Sequence, residues 1–81
     1  MSKKLYVANL SYSVKNPDLS RLFSRYGGVK SATVLEHAET GRSQCCAWVE
    51  MGTEQAARAA RAGLDGHQHE GHAWSVREVR L

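Results

Sequence analysis

Two large aromatics, Tyr6 and Trp48, stand in short apolar stretches, Leu5–Leu10 and Gln44–Met51, where alternation can leave both rings on the wet side of a sheet. A ring held outward in that way suits a flat, partly apolar ligand, and an unstacked nucleic-acid base is one. Lys4 has the same parity as Tyr6, Arg77 sits in the last apolar stretch, and Arg42 lies in a polar connection; all three are candidates for phosphate contact. The other reactive side chains suggest less. His67, His69 and His72 could gather imidazoles around a metal, yet only Glu70 is at hand to extend the set, so an exposed polar loop is expected there. Cys45 and Cys46 are the only cysteines; as strand neighbours they point apart, which argues against an intrachain disulfide. Cys46 is expected to be exposed, but it has no neighbouring histidine or helix N-terminus to activate its thiol. The sequence contains no Ser-His-Asp arrangement, phosphate-binding glycine loop or paired carboxylates. No catalytic, cofactor or metal site is expected.

The elements that would hold these residues are legible from their punctuation. Leu5–Leu10 reads as a strand. Asn16-Pro17-Asp18 announces a helix over about 17–26, with Asn16 as its cap, Leu19, Leu22, Phe23 and Tyr26 at helical spacing and Gly27-Gly28 as its stop. Val29–Leu35 is a second strand with Val29, Ala32 and Val34 inward. His37–Arg42 is a loop, and Gln44–Met51 a third strand. Thr53 caps a second helix, which ends at Leu64 before Asp65-Gly66; its buried stripe is mostly alanine. His67–His72 reads as a loop and Trp74–Val79 as the last strand. The order is β-α-β-β-α-β: an α+β, ferredoxin-like split βαβ arrangement with a four-stranded antiparallel sheet and both helices on one face.

That asymmetry makes strand parity decisive. Leu5 and Val7 share one face of the first strand and Tyr6 and Ala8 the other. Cys45, Ala47, Val49 and Met51 share one face of the third, with Gln44, Cys46, Trp48 and Glu50 opposite. The helices need the aliphatic faces. A slip of one residue would wet Val49 and Met51 and bury Gln44 and Glu50, so Tyr6 and Trp48 are expected on the open side. Thr33 and Leu35 are expected to line the same side of the second strand. Trp74 is expected in the core, filling space that the alanine-rich helix leaves. Tyr12 is expected to pack or cap at the entry to the first helix.

Leu5-Tyr6-Val7-Ala8-Asn9-Leu10 resembles the short hexamer of the RNA-recognition-motif family, and Gln44–Met51 stands where that family has its octamer, Lys/Arg-Gly-Phe/Tyr-Gly/Ala-Phe-Val-x-Phe/Tyr. Asp18-Leu19, Leu22-Phe23 and Tyr26-Gly27 resemble its first helix. Glu39–Ser43 resembles its loop between the second and third strands, and Leu64-Asp65-Gly66 and Gly71-His72 its turns around the last strand. The chain is most similar to the short single-domain bacterial members. The resemblance implies one domain over residues 1–81 that binds single-stranded RNA, with single-stranded DNA as a second candidate ligand. The site implied comprises Lys4, Tyr6, Thr33, Leu35, Arg42, Gln44, Cys46, Trp48 and Arg77.

The octamer departs from the family pattern at its opening residues. Gln44 replaces the opening basic residue, Cys45 the glycine, and Cys46 the middle stacking ring. One absent ring forfeits ~1–3 kcal/mol, roughly 5- to 150-fold in affinity, so binding is expected to be weakened but retained. The same losses suit a second reading, in which Tyr6, Leu35, Cys46 and Trp48 form an apolar patch for a protein partner or a second copy of the chain.

Composition is consistent with either reading. The 81 residues suit one domain, and 11 lysines and arginines against 8 acids give a formal charge of +3, a mild basic bias. Apolar residues make up 42% and charged residues 23%, which excludes general disorder. Met1-Ser2-Lys3-Lys4 does not resemble a signal peptide, no run reaches ~20 apolar residues, and no disulfide framework is expected. A cytoplasmic monomer without membrane contact is expected, with sheet-face dimerisation as the alternative.

Overall fold

The computed structural model describes residues 3–41 and 43–79, apart from the side chains of Ser43 and Gln44. Its elements are β1 (Lys4–Ala8), α1 (Asn16–Phe23) with a 3₁₀ turn over Ser24–Tyr26, β2 (Val29–Glu36), β3 (Ser43–Met51), α2 (Glu54–Leu64), β4 (Gln68–His69), β5 (His72–Ala73) and β6 (Ser75–Glu78). β2, β3, β1 and β6 form one sheet in that order, and every neighbouring pair is antiparallel. The segment expected to be a loop at His67–His72 instead folds as a small hairpin, with Gln68 opposite Ala73 and His69 opposite His72. Glu70 and Gly71 make its turn, both at positive φ.

The strands run as their alternation requires. Leu5, Val7, Ala47, Val49, Met51 and Val76 are buried, and they meet Leu19 and Phe23 of α1 and Ala56, Ala57, Ala60 and Leu64 of α2. Trp74 is 1% exposed and occupies the core, as expected where α2 supplies only small side chains. Tyr26 packs against the core from the 3₁₀ turn, and a Cβ at Gly63 would force its ring to shift, so the glycine in α2 lets the ring approach.

Helix α2 is capped as its sequence suggests, with Thr53 Oγ1 accepting from the Ala56 amide at 3.1 Å. The start of α1 corrects the expectation. Lys15 is the cap residue and Asn16 already belongs to the helix. Asp18 Oδ2 accepts from the Lys15 amide at 2.9 Å, while Asn16 Oδ1 accepts from the Val34 amide at 2.7 Å. The asparagine is spent on tying the helix to β2, so the backward-reaching aspartate caps in its place.

Candidate nucleic-acid interface

The central strands present the two rings together. Tyr6 and Trp48 are cross-strand partners, with Arg77 beside Tyr6 on β6 and Thr33 beside Trp48 on β2. Residues opposite one another share a face, so these four side chains form a row across the open side. The rings are 4.9 Å apart at their centroids and inclined by 57°, and both are half-buried. Lys4 Nζ lies 5.0 Å from the centre of the Trp48 ring, a cation–π distance. Lys4 also faces Glu50 across the strands, and Glu50 pairs with Lys30 at 3.4 Å. Glu50 is thus paired with a lysine of β2, a contact that the sequence did not suggest. Thr33 and Arg77 are exposed, and Leu35 is half-buried.

Cys46 corrects a second expectation. It shares the open face, opposite Ala8, but is only 8% exposed. The Tyr6 phenol is hydrogen-bonded to its thiol, and this contact, with partial burial added, holds the phenol above its ordinary value of 10.0. Cys46 is therefore a buried thiol beside Tyr6 at the position where the family has its middle ring.

Cys45 shows why the family uses glycine at this position. Its φ is 61°, in the left-handed region, and the β2–β3 register slips between Val34 and Glu36 beside it. Its side chain packs on the core, as expected. Arg42 lies outside the described residues, as does the Gln44 side chain.

At the end of the sheet where β1 leaves, a polar lattice ties the β1–α1 connection to the β4–β5 hairpin. Ser13 Oγ is 2.7 and 2.6 Å from the two carboxylate oxygens of Glu70 and 2.9 Å from Ser11 Oγ. The Ser13 hydroxyl is the main reason that the Glu70 carboxyl lies below its usual value. Asn9 Nδ2 donates to the Ala73 carbonyl at 2.9 Å. His67 and His69 lie against Trp74, with centroids 5.1 and 5.5 Å from it, and among the described residues no group of three metal-ligating side chains converges. Tyr12 corrects the remaining expectation: it neither packs nor caps, and is 69% exposed. No described helix is long and apolar enough to cross a membrane.

An antiparallel β2-β3-β1-β6 sheet backed by two helices, with aromatics on its central strands, leaves an open face of the kind on which unstacked bases can lie. The RNA recognition motif family model matches residues 5–75, and the chain belongs to that family. A Nostoc sp. (strain PCC 7120) protein named "Putative RNA-binding protein RbpF" is 41% identical over 77 residues, covering 95% of this chain and 69% of its own. The chloroplast RNA-binding protein CP31B of Arabidopsis thaliana is 42% identical over 73 residues; the match covers 90% of this chain but 25% of that longer protein. Among solved structures, RNA binding protein PG1 superposes with a TM-score of 0.92 at 41% identity, covering 96% of this chain and 94% of its own. A Sxl-lethal protein/RNA complex superposes with a TM-score of 0.88 at 29% identity, over 95% of this chain and 47% of the other.

Proposed function

We propose that residues 1–81 act as one domain that binds single-stranded RNA across the open sheet face, with Tyr6 and Trp48 each stacking a base. The observation that carries the reading is the pair of half-buried rings on adjacent central strands, flanked by a cation over Trp48 and an exposed arginine beside Tyr6. Lys4, Arg77 and Arg42 meet phosphates. Thr33, Leu35 and the backbone of β6 contact base edges, and the names of the relatives, RNA-binding proteins from Nostoc and Arabidopsis, point the same way. Because Cys46 offers no third ring on the sheet, stacking on these strands is limited to two bases. The affinity should be correspondingly modest.

Salt titration of binding to a single-stranded oligonucleotide tests this directly. Two or three neutralised phosphates give a slope of log affinity against log salt of about −1.5 to −2, at ~0.7 per phosphate for single strands. A slope near zero would overturn the reading and favour an apolar protein partner on the same face, whose association holds or strengthens as salt rises. A much steeper slope would move the contact surface to the helical side, where Arg58 and Arg61 of α2 are exposed.

A further inference from the structure

Tyr12 is the one large hydrophobic side chain left exposed among the described residues, and its neighbours are anchored. Leu10, Ser11 and Val14, on either side of it, are buried. The Val14 amide donates to the Ser11 carbonyl at 3.3 Å, closing a four-residue turn with Tyr12 at its second position. Two tethers hold this turn and the residues leading into it to the hairpin, Ser13 to Glu70 and Asn9 to the Ala73 carbonyl. A third holds it to β3, where the Leu10 amide donates to the Cys45 carbonyl at 2.9 Å. Tyr12 itself has no ring or hydrogen-bond partner among the described residues.

A single exposed aromatic on a surface is ordinary. An exposed aromatic on a turn pinned at three points is different, because little conformational freedom remains to be lost when something stacks on it. Its position adds to this. The turn leaves the sheet beside Cys45 and Ala8, next to Cys46, the place on the open face that lacks its ring. Six residues separate Tyr6 from Tyr12, so their Cα atoms are at most about 20 Å apart, a span that a few nucleotides cover.

We propose that Tyr12 is a third base-stacking ring, set on the rim of the sheet instead of on β3, where it takes a nucleotide that has run past Tyr6 and Trp48. This rests on the sheet-face reading above and extends the path of the same strand. It predicts dependence on ligand length: a strand that only covers the sheet does not reach Tyr12, and a longer one does.

The test uses fluorescently labelled oligouridylates of roughly four and roughly eight nucleotides. Tyr12→Ala is expected to weaken binding of the longer strand roughly 5- to 150-fold while leaving the shorter one unchanged, with the same thermal midpoint as the parent protein. Tyr12→Phe keeps the ring face and should bind as the parent does; a loss as large as that of alanine would assign the contact to the hydroxyl and overturn stacking. If Tyr12→Ala binds both lengths like the parent while Tyr6→Ala and Trp48→Ala lose affinity, the rim contact is wrong and the sheet site stands. If all three alanine variants bind like the parent, the sheet site falls as well.

Discussion

The chain has two tryptophans, and they occupy opposite kinds of surroundings. Trp48 stands on the open face, half-buried, tilted against Tyr6 and under Lys4. Trp74 stands where α2, β6 and the small hairpin meet. It is 1% exposed and covered by His67 and His69, and its indole N–H has no acceptor among the described residues. The first tryptophan leaves a costly ring face available to a ligand. The second fills a hole left by an alanine helix, even though burying an unpaired N–H costs about 1–3 kcal/mol. Identical side chains are thus placed in opposite surroundings by which face of the sheet each meets, and on the proposed reading one serves binding and the other stability.

The sharpest way to break this comparison is to truncate both. Trp74→Ala should cost about 3–5 kcal/mol in denaturant unfolding, enough to leave so small a domain largely unfolded. Trp74→Phe should cost less, because it keeps much of the volume and removes the unpaired N–H. Trp48→Ala should lower the affinity for single-stranded RNA by ~1–3 kcal/mol, read by fluorescence anisotropy, with a loss of stability of about 0.5–1.5 kcal/mol, well below that of Trp74→Ala. A Trp48→Ala protein that unfolds, or a Trp74→Ala protein that stays folded and loses only RNA, would reverse the two roles.

The smallest expected effect lies at the lattice that holds the rim. The Ser13 hydroxyl keeps the Glu70 carboxyl below its ordinary value of 4.5. A group depressed in the folded state contributes stability that is present above its unfolded value and is lost as pH falls through the folded one. The tether between turn and hairpin should therefore persist at neutral pH and weaken only on the acid side of 4.5. In Ser13→Ala, the Glu70 carboxyl followed by NMR should titrate at higher pH, closer to that ordinary value. An unchanged midpoint would show that the serine does not hold the carboxylate.

Most of the framework was legible before any coordinates. Alternation in Leu5–Ala8 and Ala47–Met51 placed Tyr6 and Trp48 outward, and the structure pairs them directly. Thr53 and the Asp65-Gly66 turn bounded α2 correctly. What the sequence hid were contacts between residues far apart in the chain. Asn16 reads as a cap because that is what asparagine does locally, but its amide is used by Val34, eighteen residues away. His67–His72 reads as a loop because its residues are polar; the antiparallel pairing of Gln68 with Ala73 needs the Glu70-Gly71 turn, not apolar alternation.

Local periodicity and turn chemistry by themselves determined the order of the elements, the face on which the rings stand and the family resemblance, since each depends on residues within one strand or helix. Tertiary structure decided the rest. Tyr6 meets the Cys46 thiol because two strands bring them together, and Tyr12 is left exposed while its neighbours are buried and tethered to distant segments. Burial and exposure at such positions are set by which side chain from elsewhere arrives to fill the space, and one-dimensional spacing carries no record of that.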